Sequence, residues 1–511
     1  MSTKIKLLVI LILAFLIRSW NLNSLPSLNP DEAALGYNAY SLLQTGRDEH
    51  GEAWPIHFKS FGDYKPGGYV YLALPSIKLL GLTPFAIRLP NLIFSILTIF
   101  VLYRLVLLLT LDFRLSLLSA FVLTLSPWHI HFSRGAWESN TALFFIILGI
   151  FWFYSYIINH KSYFLYLFPL PLVIALYTYH SSRLMVPVLF TTLIIFNLKK
   201  FLNKNAFFSF FLAFLFISPL IISFISIGTA RFSGVGLLAD RGPLSRSEEL
   251  LNQHPAFSYF DRVIHNKRLL YLLSWGQKYL SHFDLNFLFL SGDEVPRSKS
   301  PDIGQFHLFE LPLLILGIFS LTKFKSTHFK HLLLSLLFIS PLASSLTFQA
   351  PSALRSLPLV IPLVIFISLG LYSLKNFKYT KILTIICYLI SIIYFISAYF
   401  IHAPKRFSFA WNSGFSDIIP LVESQKNSFK NIYFTSKYDQ PYILYLFYSQ
   451  YPPKKLSSQI KLTPPDQFGF STVAKIDNIT FSIPDEIPPG SLVVDSSDFQ
   501  NTGQSFKLYL K

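Results

Sequence analysis

Residues Phe85–Tyr103 read FAIRLPNLIFSILTIFVLY, a run broken near its start by Arg88 and closed by Arg104. A helix that crosses the hydrocarbon core needs roughly 20 mostly apolar residues, and this stretch supplies them. Working outward, runs near that length also begin at Leu7, Leu115, Ala142, Tyr163, Leu184, Phe207, Leu308, Leu332, Leu357 and Ile382. The pattern predicts an α-helical polytopic membrane protein with about eleven transmembrane helices, the weakest at Leu115 and Tyr163. Composition agrees. The 511 residues are 52% hydrophobic and only 14% charged, whereas a soluble chain carries about a quarter charged residues. The mean hydropathy is +0.48. The 53 Phe and 27 Tyr suit helix interfaces and interfacial belts.

The net charge of +17 does not point to nucleic acid, because the basic residues lie in short clusters between apolar runs and not on one soluble face. Those clusters are Lys4 and Lys6; Arg104 with Arg114; His160 and Lys161; Lys199, Lys200 and Lys204; Lys323, Lys325 and Lys330; and Lys375, Lys378 and Lys381. They occupy every second gap, which places them in the cytoplasm by the positive-inside rule. The expected location is the plasma membrane, multi-pass, with the N-terminus cytoplasmic and the C-terminus outside. The segment Lys4–Ile17 mimics a signal peptide, but Arg18-Ser19-Trp20 offers no small-residue cleavage site, so it reads as an uncleaved anchor. The outer gaps include loop 1 (about 21–84), loop 2 (about 126–140) and loop 4 (about 228–305). The division expected is a membrane domain over 1–401 and a small extracytoplasmic α/β domain over 402–511. Within that tail, Asn431–Ser436 and Ser491–Asp495 read as strands and Gln440–Tyr451 as a helix. Cys387 is the only cysteine, so no disulfide within the chain and no cysteine-rich metal site can form.

With charges so scarce, their placement is informative. Asp31-Glu32 follows Asn29-Pro30, where a helix can start, so both carboxylates fall in a first turn that favours negative charge. A helix-end charge effect would explain them; so would chemistry just outside the first span. Asp63-Tyr64-Lys65-Pro66 carries a lysine suited either to snorkelling or to holding a lipid-linked phosphate as a point charge. Loop 2 brings Arg134 and Glu138 together with Trp128 and Trp137, and further outer ends carry His180 with Arg183, and Arg355. Arginines at one depth on the outer side run against the charge bias, and an anionic ligand is the simplest explanation. The chain has no Walker loop, Rossmann fingerprint or nucleophile elbow. His129 and His131 are not at a helical ligand spacing, so no metal site is identified and a divalent ion stays open.

In order, Pro30-Asp31-Glu32-Ala33, Gly36-Tyr37-Asn38-Ala39-Tyr40, Gly62-Asp63-Tyr64-Lys65-Pro66 and Arg88-Leu89-Pro90 resemble the C-type glycosyltransferases that use polyprenyl-phosphate sugars. The branch is that of protein O-mannosyltransferases and lipid A aminoarabinose transferases. The resemblance runs on through Ser133-Arg134, Tyr179–Arg183, Tyr279–Phe283 and Leu354-Arg355-Ser356, and so covers about residues 1–400. It implies Asp31 as catalytic base, Glu32 as its supporting carboxylate and Lys65 as the residue that holds the donor phosphate. Asp63 falls where the aminoarabinose branch has a glutamate, and Glu138 where the family carries a second acidic residue. Arg183 and Arg355 would assist at the phosphate, with Tyr64, Arg134, His180 and His282 as substrate-facing or supporting residues. Loop 4 lacks the folded sugar-binding insertion of the eukaryotic enzymes.

The implied reaction is inverting transfer of a sugar from a polyprenyl-phosphate carrier to a hydroxyl of a lipid, glycan or protein, on the outer face. It needs one base, not the carboxylate pair of a hydrolase. The competing reading is a transporter or flippase of lipid-linked sugars, which predicts ionisable residues at mid-span. Here they cluster at the outer ends.

Overall fold

The computed structural model describes residues 2–227, 236–253, 259–374, 378–456, 458–460, 462–464, 471–499 and 503–511. Gly228, at the start of loop 4, and Lys375 lie outside them. The first half of the chain forms α1 (Thr3–Ser19), α2 (Pro30–Thr45), α3 (Gly68–Leu80), α4 (Pro84–Thr110), α5 (Phe113–Leu125) and α6 (Pro127–Ser133). It continues with α7 (Glu138–Asn159), α8 (Ser162–Leu167), α9 (Pro169–Thr178), α10 (Ser182–Phe196) and α11 (Lys204–Ile227). Four later apolar helices cover Glu310–Ser320, Thr327–Ile339, Val360–Ser373 and Lys378–Ile396. Each of the eleven apolar runs is therefore helical.

Their lengths depart from the expectation. Among the described residues, four helices are long and apolar enough to cross a membrane alone: Pro84–Thr110, Glu138–Asn159, Lys204–Ser223 and Tyr379–Arg406. A fifth results if α5 and α6, bent by 61°, count as one span. The other runs are shorter helices. Proline marks the bend, since Pro127 sits where α6 begins, whereas Pro90 and Pro219 lie inside α4 and α11. The last apolar helix also runs on past His402 to Arg406. Helices Glu310–Ser320 and Val360–Ser373 meet through glycine. A Cβ on Gly317 would overlap the Phe366 carbonyl, and one on Gly370 the Leu313 carbonyl. Small residues that let backbones touch are a common way to join helices without a hydrophobic drive.

The tail holds a mixed sheet flanked by helices Phe415–Gln425 and Pro441–Tyr448. With β1 (His57–Ser60) and β2 (Asp63–Pro66) forming a hairpin in loop 1, the tail strands are β3 (Ile432–Phe434), β4 (Lys475–Ile476), β5 (Ile479–Thr480), β6 (Leu492–Ser496) and β7 (Phe506–Leu510). Their order is β4-β5-β3-β6-β7, with β3 parallel to β5 and β6 and the two outer pairs antiparallel. Among the described residues, loop 4 holds helices, including Gly242–Asn252 and Lys267–Leu280, and no strand. Among the described residues, the hydrophobic core has two large parts and a small third around Phe395 and Tyr399. One large part fills the helical bundle around Leu102, Phe153 and Val364. The other joins Ala33, Tyr37, Phe58 and Phe61 of loop 1 to Tyr442, Leu446, Ile432 and Val494 of the tail. Loop 1 and the tail thus share one interior.

Candidate active site

The site is built on the first turn of α2. Asn29 caps the helix, Pro30 occupies its first turn, and Glu32 reaches back to the Asn29 backbone N–H to complete a capping box. Glu32 is 1% exposed. It accepts from Arg88 Nε (2.8 Å) and Nη2 (2.7 Å), from the Ala136 N–H (2.7 Å) and from Asn29 Nδ2 (3.1 Å). A buried carboxylate is tolerable when its lone pairs are filled in this way. Arg88 also donates to the Leu22 and Pro26 carbonyls. One carboxylate therefore clips together loop 1, the start of α4 and loop 2.

Asp31, one residue earlier, points elsewhere. Its side chain is 47% exposed and pairs directly with Lys65 Nζ, whose side chain is 15% exposed. Lys65 lies on β2 opposite Phe58, with the Phe61 ring 4.8 Å from its ammonium. Pairing of His57 with Pro66 puts His57 on the opposite face of this hairpin. There Arg183 Nη2 donates to His57 Nε2 (2.8 Å), which leaves the Nδ1–H to donate to Ser223 Oγ (2.7 Å). Burial, then the Arg183 charge, lowers His57 to about 4, so this imidazole is neutral at physiological pH. Arg183 Nη1 donates to His180 Nδ1, and His180 Nε2 to the Tyr64 carbonyl (3.1 Å). The α9–α10 turn thus clamps the back of the hairpin that presents Lys65.

The structure separates the other expected residues. Arg183 braces the hairpin from the face away from Lys65, and does not stand beside it. Arg355 donates to the Gln349 carbonyl (3.1 Å) and shares a small pocket with Ser139, Tyr179 and Ser182, next to the same turn. Glu138 opens α7 and, with Glu32, lies within electrostatic reach of Tyr69. Arg134 is fully buried and donates to the carbonyls of Ile17, Arg18, Trp20 and Leu25, so its work is to cap the end of α1. His282 bonds to its own segment and to Ser344 Oγ (2.7 Å), and meets none of the other candidates among the described contacts. Burial lowers it to about 4. Asp63 accepts from the Tyr64 N–H at the hairpin turn. Among the described residues, no group of three His, Cys, Asp or Glu could hold a metal ion.

Two residues at the site carry no motif. The tail reaches over α2: Tyr37 donates to the Tyr451 carbonyl (2.9 Å), the Ser471 N–H to the Phe61 carbonyl (3.0 Å), and the Phe61 and Tyr442 rings meet at 6.1 Å. This brings Asp439 within electrostatic reach of Asp31 and Lys65. Arg297 of loop 4 pairs with Asp439 at 3.6 Å. Neither could have been found in the sequence, since nothing in the tail or in loop 4 marks which residue returns to α2.

Comparison with known proteins bears on this geometry. Residues 8–227 match the family model described as dolichyl-phosphate-mannose-protein mannosyltransferase, a segment that holds Asp31, Glu32, Lys65, Glu138 and Arg183 but not Arg355 or the tail. Among solved structures, the fold is similar to ArnT from Cupriavidus metallidurans bound to undecaprenyl phosphate, with a TM-score of 0.50 and 11% identity over 88% of this chain and 84% of that one. The same protein in the apo state gives 0.46 and 12% over 98% and 94%. The archaeal oligosaccharyltransferase AglB from Archaeoglobus fulgidus, in complex with an inhibitory peptide and a dolichol-phosphate, gives 0.46 and 12% over 83% and 58%. The chain thus spans somewhat more than half the length of the archaeal protein. No curated protein matches it significantly.

Proposed function

We propose, from the family match over residues 8–227 and the fold, that the chain is a multi-pass membrane glycosyltransferase of the C type that moves a sugar from a polyprenyl-phosphate carrier to an acceptor hydroxyl on the outer face of the plasma membrane. The observation that carries this reading is the Asp31–Lys65 pair. An exposed carboxylate and a half-dry ammonium meet at an open helix start, while the neighbouring Glu32 is locked away. In the reaction, the acceptor oxygen attacks the anomeric carbon as Asp31 takes its proton. The bond from that carbon to the phosphate oxygen breaks, its electron pair leaves with the lipid phosphate, and the sugar inverts. Lys65 stands to receive the charge, and such preorganised help is commonly worth about 3–4 kcal/mol. Base and leaving group lie on opposite faces of the ring in an inversion, so Asp31 and Lys65 part by a sugar's width when the donor enters.

Spans from all eleven apolar runs would put loops 1, 2 and 4 and the tail outside together. Purified protein incubated with a panel of polyprenyl-phosphate sugars tests the reading, with mass spectrometry of candidate lipid, glycan and protein acceptors. Asp31→Asn is expected to lower turnover at least about 100-fold, with yield and thermal stability at parent levels. A variant that works at the parent rate removes Asp31 from the role of base.

A further inference from the structure

Between loop 4 and the tail lies an open cleft of about 520 Å³, a size typical of sites that hold small organic ligands. Its wall joins Arg297 to Phe409, Tyr438, Asp439 and Gln440. Three features fix its character. The Arg297 and Asp439 side chains, 28% and 55% exposed, pair at 3.6 Å in its wall and leave donors and acceptors open to solvent. The Gln440 Oε1 atom is buried and has no hydrogen-bond partner, a cost that a ligand hydroxyl would relieve. Phe409, 59% exposed, packs its ring 5.0 Å from that of Tyr438 and presents an apolar face at the mouth. The cleft also adjoins the proposed base. Asp439 and Gln440 immediately precede the helix Pro441–Tyr448, whose Tyr442 packs on Phe61 beneath Lys65.

We propose that this cleft seats the acceptor, and that the acceptor is a glycan whose ring hydroxyls bond to Arg297, Asp439 and Gln440 while one sugar face lies on Phe409. The proposal rests on the transferase reading above. Planar donors and acceptors close together match vicinal hydroxyls, and aromatic faces cover the apolar side of a sugar ring. The wall also carries Lys437, but Asp439, paired with Arg297, sets an acid among these cations, which a phosphate-rich lipid headgroup would disfavour.

The test uses the full-length protein in detergent. Binding of chitopentaose, mannopentaose and cellopentaose, and of a serine- and threonine-rich decapeptide, is measured by calorimetry for the parent, Arg297→Gln and Asp439→Asn. At least one oligosaccharide is expected to bind the parent, and to lose tenfold or more in affinity in each cleft variant. Affinity for undecaprenyl phosphate should change less than twofold in those variants, which also shows that they fold. Binding of the peptide alone, of no oligosaccharide, or of an oligosaccharide with equal affinity in parent and cleft variants overturns the proposal. Oligosaccharide binding that depends on the cleft, in a protein that transfers no sugar, upholds the cleft and overturns the transferase reading instead.

Discussion

Asp31 and Glu32 sit side by side on one helical turn, and burial gives them different work. The sequence shows the pair, and the resemblance assigns their roles. It does not show why Glu32 is the buried one, because its partners Arg88 and Ala136 lie 56 and 104 positions away. Lys65 is the complementary case, readable as a surface cation but not as the partner of Asp31. Lys65→Ala is expected to weaken polyprenyl phosphate at least tenfold as a competitor of donor; equal inhibition of parent and variant would return Lys65 to an interfacial anchor. Glu49 gives a pH test. It is fully buried, and burial, opposed by the Asn38 hydrogen bond and aided by Asp48, raises it to about 8 from an ordinary 4.5. The folded protein thus keeps a proton that the unfolded chain releases. The stability linked to Glu49 is full below about pH 4.5 and falls as pH rises to about 8, by at most about 1.4 kcal/mol per unit. Glu49→Gln should flatten that fall. Thermal unfolding of both proteins between about pH 5 and 8 checks it, and parallel slopes would count against Glu49.

Among the elements, the eleven apolar runs all appear as helices because insertion demands apolar side chains, yet hydropathy passes over the short apolar helix α3 in loop 1 and is blind to bends. The break at Pro127 leaves composition unchanged while it bends the span by 61°. In the tail, the expected strands and helix appear as Ile432–Phe434, Leu492–Ser496 and Pro441–Tyr448. The two-residue strands β4 and β5 are too short to carry an alternating pattern, and they are held by pairing to each other and to β3. The close crossing of Glu310–Ser320 with Val360–Ser373 was not legible either, since a glycine in an apolar run does not name its partner. Gly317→Ala is expected to push these helices apart and cost about 1–3 kcal/mol. A fall in melting temperature of several degrees in detergent would show this, and an unchanged value would mean that the helices can part freely.

For the whole molecule, the proposed orientation rests on six basic clusters that agree, and a shift by one span would expose most of them together. Labelling with a membrane-impermeant maleimide in a Cys387→Ala background tests it. The probes are placed on the exposed residues Glu52, Glu486 and Lys325. Cysteines at 52 and 486 should react on intact cells and one at 325 should not; reaction at 325, or at only one of the other two, would overturn the placement of the site. The bond from Tyr37 to Tyr451 joins residues 414 positions apart, and this bears on how the chain is made. A ribosome that has threaded every apolar segment into the bilayer has not yet released the surface against which α2 packs. The turn that carries Asp31 waits, half covered, until the tail emerges and settles on it. A chain cut short before Tyr451 would still lodge in the membrane, but α2 would lack its brace, so on the proposed reading an unfinished copy transfers no sugar.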